Sequence, residues 1–356
     1  MELLSQAQEL LAIPSTADRP DELHRALEYV LDFVGTGHTV ERFSSNGKPS
    51  ALVYAGPSRR HFPLILNAHL DVVPAGDEQF RPRVEGSRLY ARGAHDMKVA
   101  ALVEALVFQE ATTPVALQLV TDEEVGGRNG TLHQLENGVT ADFVVIGEQS
   151  GLRLVNESKG IFTAVLRATG RSGHSAYPWN ADSALLKLTT SIQNVIDKYP
   201  VPTAEAWRTT VNVARIGTSN TALNQVPADA TAWLDIRYPP QDTDFTGHSL
   251  EEIAAYLESL CAPDVTVTIE RLDPPHHAAD DSPQVLALQR AARNQGFSGD
   301  FLRKHGAADG RFYYQRGVDA VIFGIGGDGL HGPAEYVDIT TIEPYYRALT
   351  EFVSTI

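Results

Sequence analysis

The chain has 356 residues, 43% hydrophobic and 21% charged, a composition typical of a globular protein long enough for two domains. The formal net charge of −16 argues against nucleic acid or an anionic membrane as a partner. No apolar run approaches the roughly 18 residues of a membrane span, and a single cysteine, Cys261, excludes an internal disulfide. Residues 1–15 lack signal-peptide features, so we expect a cytoplasmic protein.

The first half of the chain predicts alternating strands and helices. Residues 62–68 (FPLILNA) and 115–121 (VALQLVT) are largely apolar runs, typical of strands buried on both faces of a parallel sheet. Residues 97–110 predict a helix between them, and residues 143–147 predict a third strand. This alternation favours an α/β domain with a mainly parallel sheet and right-handed crossovers.

The pattern changes after residue 160. Strand and helix periods then follow in the order β-α-β-β-α-β, which is typical of a ferredoxin-like unit with helices on one face of an antiparallel sheet. Alternating α/β patterning resumes from residue 284. We therefore expect a discontinuous catalytic domain, residues 1–160 and 274–356, with a second domain inserted at residues 161–273.

Residue types that bind metal ions follow the predicted parallel strands. The three strands end at His69, at Asp122-Glu123-Glu124 and at Glu148. Ligands of open α/β sheets bind beyond the carboxyl ends of the strands, so these side chains should converge. Asp96, at the start of the following helix, and His331, in a glycine-rich loop, complete a set of histidines and carboxylates. Such a set suits zinc or cobalt, and manganese less well.

Asp71 and the acidic run have physical reasons to belong to this site. Asp71 shares a face with His69 on an extended strand, where its carboxylate can fix the tautomer of a metal-bound histidine. Adjacent carboxylates such as Glu123 and Glu124 repel each other unless a cation lies between them or one is protonated. Each motif alone is also compatible with a capped turn or a solvated acidic loop. Their common position at strand ends favours a two-metal site.

Seven segments occur in a familiar order: HLDVVP, YARGAHDMK, TDEEVGG, GEQS, RSGHSAYP, LNQVPADATAWLDIR and LHGPAEYVDI. Together they resemble the dizinc amidohydrolases and exopeptidases that include acetylornithine deacetylase, succinyl-diaminopimelate desuccinylase, N-acetyl-lysine deacetylase, aminoacylase and carboxypeptidase G. The resemblance covers nearly the whole chain. It implies a zinc-exopeptidase-like catalytic domain and an inserted ferredoxin-like α+β domain that serves dimerisation or acts as a lid.

The resemblance also implies how two zinc ions per subunit, replaceable by cobalt, would be held. His69 and Glu148 would bind one ion, Glu124 and His331 would bind the other, and Asp96 would bridge them. The peptide bond between Asp96 and Met97 would be cis.

Catalytic and substrate-binding roles follow from the same resemblance. Glu123 would be the general base, and Asp71 would orient His69. His174 would reach the active site of the partner in a homodimer and stabilise the oxyanion. Asn224 and Arg237 would bind the carbonyl and the carboxylate of the substrate.

Some positions depart from the family pattern without removing a ligand. Ala91 replaces a common glycine, Val99-Ala100 replace two more, and Glu148 lies in Gly-Glu-Gln-Ser rather than Gly-Glu-Pro-Thr. The subfamily therefore stays open. We expect hydrolysis of the amide bond of a small N-acyl amino acid with a free carboxylate, in amino-acid biosynthesis. The alternatives are a dipeptidase or carboxypeptidase of the same family, and a non-catalytic metal-binding paralogue.

Overall fold

The structure is a computed structural model that describes residues 2–356. The helices in that range are α1 Glu2–Leu11, α2 Pro20–Val34, α3 Lys98–Glu110, α4 Thr131–Glu136, α5 Ala184–Lys198, α6 Leu250–Ser259, α7 Pro283–Asn294, α8 Gly310–Tyr314 and α9 Ile342–Val353. The strands are β1 Thr39–Ser45, β2 Lys48–Tyr54, β3 His61–His69, β4 Arg83–Glu85, β5 Arg88–Tyr90, β6 Val115–Val120, β7 Thr140–Ile146, β8 Leu154–Ser158, β9 Gly160–Thr169, β10 Gly173–His174, β11 Thr210–Gly217, β12 Gln225–Val226, β13 Asp229–Tyr238, β14 Val265–Asp273, β15 His276–His277, β16 Phe301–Lys304, β17 Asp319–Ile322, β18 Gly327–Asp328 and β19 Tyr336–Asp338.

The described chain divides into two compact units. The larger unit comprises the chain up to Asn156, His277–Arg303 and Ala308–Ile356, and the smaller comprises Glu157–His276 and Lys304–Ala307. The insertion predicted from sequence, residues 161–273, lies within the smaller unit.

The larger unit is built on a mixed sheet whose centre is parallel. Its strands follow the order β1-β2-β6-β3-β7-β17-β8, and the pairs β6–β3, β3–β7 and β7–β17 are parallel. Helices α1, α2, α3, α7 and α9 contribute to the apolar cluster on one face, and α4 and α8 to the cluster on the other. This double covering explains why β6 is buried along its whole length and reads as a continuous apolar run.

A small antiparallel sheet in the same unit was not predicted from sequence. Its strand order is β18-β19-β5-β4, and each strand has only two or three residues. Such short strands show no measurable period of two. The register pairs Tyr90 with Tyr336, so this sheet brings the segment before the helix α3 beside the segment after His331.

The smaller unit has the predicted ferredoxin-like order of elements. Its antiparallel sheet follows the order β11-β13-β9-β14. Strand β13 alternates strictly between buried and half-buried residues, as expected for a sheet covered on one face. The covering helices begin at serine caps: Ser183 caps α5, and Ser249 forms a capping box with Glu252 at α6.

Among the helices that the structure describes, none combines the length and the apolar character of a transmembrane span.

Candidate metal centre and substrate-binding residues

Three neighbouring parallel strands deliver candidate ligands to one edge of the sheet. His69 is the last residue of β3, which lies between β6 and β7 in the sheet. A single turn of 3-10 helix, Glu123–Val125, follows β6, and Glu148 comes two residues after the end of β7. His69 is therefore flanked by carboxylates from both neighbouring strands.

The side chains at this edge form two groups suited to metal binding. In the first group, ligand atoms of His69, Glu123 and Glu148 all lie within 4.8 Å of one another. In the second, ligand atoms of Asp96, Glu124 and His331 meet the same limit. All five residues predicted from sequence as metal ligands, together with the predicted base Glu123, thus lie in these two groups.

Asp96 lies between the two groups. One of its carboxylate oxygens, Oδ1, is 3.0 Å from Nε2 of His69, and the other, Oδ2, is 3.4 Å from Nε2 of His331. The same His331 nitrogen is 3.3 Å from Oε2 of Glu124. The Asp96–Met97 peptide bond is cis, as the resemblance implied, and α3 begins at Lys98, one residue after the predicted start at residue 97. This geometry suits a carboxylate that bridges two cations.

Asp71 makes more contacts than the sequence predicted. The Nδ1 atom of His69 is 3.0 Å from the backbone oxygen of Asp71 and 3.5 Å from its carboxylate. The carboxylate accepts hydrogen bonds from the backbone N–H groups of Glu123, at 3.1 Å, and Glu124, at 3.0 Å. Asp71 therefore contacts both His69 and the turn that carries the two glutamates.

The electrostatics of the cluster fit divalent cations. Burial, followed by the charge of Glu148, raises the pKa of Glu123 well above its usual value. Burial and then the neighbouring Asp96 raise the pKa of Glu124 to about 7. Burial opposes protonation of His69, yet the carboxylates of Asp71 and Asp96 outweigh it and raise its pKa. Buried carboxylates that share a site in this way either take up protons or bind cations.

A buried pair, Asp309 and Arg311, lies beside the turn that carries Glu123 and Glu124, and the sequence did not predict it. The Arg311 guanidinium donates to the backbone oxygen of Gly126 at 2.8 Å, and Asp309 accepts a hydrogen bond from Thr131 at 2.5 Å. Gly127 has φ of +65°, and a Cβ there would overlap the Asp309 carboxylate. Asp309 lies more than 180 residues after the turn, so no local sequence signal connects them.

The predicted catalytic residue His174 and the predicted substrate-binding residue Asn224 lie together in the smaller unit. His174 lies in β10, which pairs with β12, and it is exposed beside the ring of Tyr177 at a centroid distance of 5.6 Å. Asn224 immediately precedes β12, and its backbone oxygen accepts a hydrogen bond from the N–H of Ser175 at 3.0 Å. The fold therefore brings these two candidates, 50 positions apart, to the same short ladder.

Arg237 lies elsewhere in the smaller unit, near the end of β13. Its guanidinium contacts the Asp235 carboxylate at 2.8 Å and lines a cavity of about 290 Å³. Lys159 and His305 line the same cavity. Lys159 is buried, donates to the backbone oxygen of Arg208 at 2.6 Å, and has a pKa that burial lowers. Two basic side chains, Lys159 and Arg237, thus line the cavity together with one acidic side chain, Glu205, which is 3.3 Å from His305.

The parallel sheet, the histidine and carboxylate groups at its edge, and the inserted α+β unit define the class: a hydrolase that acts on amide bonds. The sequence profile of Peptidase family M20/M25/M40 matches residues 65–355. The chain belongs to this family.

Individual relatives agree with this assignment. The chain is 32% identical to a succinyl-diaminopimelate desuccinylase of Sphingopyxis alaskensis over 71% of each sequence. It shares its fold with an M20 family metallo-carboxypeptidase from Sulfolobus solfataricus, with a TM-score of 0.76, 20% identity and coverage of 99% and 98% of the two chains. A dinuclear metal binding peptidase of the same family from Bacillus subtilis gives a TM-score of 0.68, 14% identity and coverage of 99% and 97%.

Proposed function

We propose that this protein is a two-metal amidohydrolase that releases the acyl group from a small N-acyl amino acid with a free carboxylate. The observation that carries the proposal is the position of Asp96, with one carboxylate oxygen facing His69 and the other facing His331. The similarity to a succinyl-diaminopimelate desuccinylase supports a desuccinylase or deacetylase. An N-acyl basic or dibasic amino acid is the expected substrate class.

The ligand set favours zinc, with cobalt as a substitute. His69 and Glu148 would hold one ion, Glu124 and His331 would hold the other, and Asp96 would contact both. Two such cations supply Lewis acidity, which polarises the amide carbonyl and makes a water molecule more acidic.

Glu123 would act as the general base. Its carboxylate lies within 4.8 Å of ligand atoms of His69 and Glu148, and its backbone is fixed by Asp71. It would take the proton of the attacking water and then deliver it to the departing amine nitrogen.

The smaller unit would supply the contacts to substrate. We propose a homodimer in which His174 and Asn224 of one subunit complete the active site of the other, with His174 donating a hydrogen bond to the oxyanion. Arg237 would bind the substrate carboxylate. The exposure of His174, and the position of Arg237 beside Lys159 in the same cavity, support these roles.

A dipeptidase or carboxypeptidase is the second candidate, because the Sulfolobus solfataricus neighbour is a carboxypeptidase. The purified protein, loaded with zinc or cobalt, should be assayed against N-succinyl-diaminopimelate, N-acetylornithine, N-acetyl-lysine, N-acetylcitrulline and a panel of dipeptides. We expect kcat/KM to be highest for one N-acyl amino acid. Cleavage of dipeptides alone would refute the deacylase proposal.

The role of Glu123 has a direct test. The variant Glu123→Gln should lower kcat by about 10²–10⁴-fold, the usual contribution of general acid–base catalysis, with both metal ions retained. Glu136→Gln, an exposed carboxylate on α4, is the matched control and should leave kcat unchanged. Loss of a metal ion in Glu123→Gln would show that Glu123 is a ligand instead of the base.

The proposed dimer is tested by mixing two inactive chains. One chain carries Glu123→Ala and the other carries His174→Ala. When the two are mixed, each heterodimer contains one fully intact site only if His174 acts across the interface. Mixing should then restore about a quarter of wild-type activity in a symmetric dimer. No recovery in verified heterodimers would place His174 in its own subunit's site.

A further inference from the structure

The larger unit contains a buried ion pair that none of the proposed roles uses. Arg92 and Glu335 are 243 positions apart, and their side chains are only 3% and 0% exposed. The small antiparallel sheet brings them together, because Arg92 follows β5, Glu335 precedes β19, and these strands pair. The N–H of Ala91 also donates to the backbone oxygen of Glu335 at 3.2 Å.

The two carboxylate oxygens of Glu335 have different partners: Arg92, and the segment that carries Asp96. One oxygen accepts from the Arg92 guanidinium. The other accepts from the backbone N–H groups of His95, at 3.0 Å, and Asp96, at 3.2 Å. Glu335 therefore fixes the peptide groups on the N-terminal side of the residue placed between the two candidate metal groups.

The Arg92 side chain also contacts the segment that carries His331. A second guanidinium nitrogen donates to the backbone oxygens of His331, at 2.9 Å, and Gly332, at 3.2 Å. His331 has φ of +58°, a left-handed conformation that residues other than glycine seldom adopt. The planar guanidinium can bind Glu335 and these carbonyls at once, which a lysine ammonium on a flexible stem does poorly.

Stability alone is a weak explanation for this pair. A buried ion pair costs desolvation energy, and apolar side chains of similar volume often stabilise a protein equally well. The remaining side-chain hydrogen bonds of Arg92 and Glu335 go to the backbone of the two segments that carry Asp96 and His331.

We propose that Arg92 and Glu335 are positioning residues that hold Asp96 and His331 in the orientation needed to bind one cation. The inference rests on the proposed two-metal site. The pair would act mainly on the ion that Asp96, Glu124 and His331 would hold. The other ion would share Asp96, but its remaining ligands, His69 and Glu148, are placed by β3 and by the end of β7.

The test measures metal affinity directly. Full-length protein is stripped of metal and titrated with Co²⁺ in competition with a chromophoric chelator, and the Co²⁺ absorption bands are recorded. In Arg92→Lys and Glu335→Ala, the apparent Kd of one ion should rise about 10–100-fold, the usual effect of removing an outer hydrogen-bond partner. The Kd of the other ion, which shares only Asp96 with the first, should rise less. Glu335→Gln keeps an acceptor for the two backbone N–H groups and should lose less affinity than Glu335→Ala.

A control variant separates positioning from general destabilisation. Leu27→Ala truncates a buried residue of α2, a helix that carries no candidate ligand. It should lower the melting temperature without lowering the affinity for either ion. The positioning role alone would be overturned if Leu27→Ala and Arg92→Lys weakened the binding of both ions equally. Unchanged affinities in Arg92→Lys and Glu335→Ala would also overturn it. Wild-type protein that binds no Co²⁺ would overturn the proposed function and this inference together.

Discussion

In the metal-free protein, the larger unit should become less stable as the pH rises from 5 to 7. In the metal-free protein, burial and the charge of Asp96 raise the pKa of Glu124 from 4.5 to about 7. Between these values the folded state keeps a proton that the unfolded state has lost. This contribution to stability is therefore fully present below pH 4.5 and disappears as the pH approaches 7.

The size of the effect follows from the shift in pKa. Each pKa unit corresponds to about 1.4 kcal/mol, so Glu124 contributes about 3 kcal/mol in all and about 2 kcal/mol between pH 5 and 7. Its side chain is only 9% exposed, so solvent screening reduces this little. His331, whose pKa is raised by its hydrogen bond to Asp96, adds an effect of the same sign above pH 6.5. Lys98 is protonated in both states until its lowered pKa of about 7.

The two units can be followed separately. All three tryptophans (Trp179, Trp207 and Trp233) lie in the smaller unit, so their fluorescence reports that unit and serves as an internal control. Hydrogen exchange of peptides from α3 and β6 reports the larger unit. With saturating metal the sign should reverse, because ligands must lose their protons to bind and affinity rises with pH.

The variant Glu124→Gln removes the titrating group while keeping its shape. In this variant the metal-free protein should lose about 2 kcal/mol less between pH 5 and 7 than the wild type does. Equal protection of the α3 and β6 peptides at pH 5 and pH 7 in the wild type would refute the reasoning. So would an unchanged pH dependence in Glu124→Gln.

Two further predictions concern local structure. Gly127→Ala should destabilise the larger unit by about 1–3 kcal/mol, because φ is +65° and the new Cβ overlaps Asp309; hydrogen exchange of the same peptides measures this, and unchanged protection would contradict it. Ser249→Ala removes the capping box of α6 and should cost the smaller unit about 1 kcal/mol in urea denaturation followed by tryptophan fluorescence. If Ser249→Ala lowered hydrogen-exchange protection more in α3 than in α6, this prediction would be wrong.

The sequence alone determined the architecture because its signals are local. The runs at residues 62–68 and 115–121 predicted buried parallel strands, and β3 and β6 occupy these positions. The change of period after residue 160 predicted the α+β insertion, whose strands follow the ferredoxin-like order. Residue type and position at strand ends likewise identified the residues that the structure groups around Asp96.

Only the tertiary structure decided how these side chains are oriented. Nothing in the sequence showed that the Asp71 carboxylate accepts from the N–H groups of two glutamates, or that Asp309 lies against Gly127. The Arg92–Glu335 pair depends on strands of three residues, too short to show a period, that meet across more than 240 positions. Periodicity and residue type are properties of a short segment. The hydrogen bonds that fix a site join segments that become neighbours only when the chain folds.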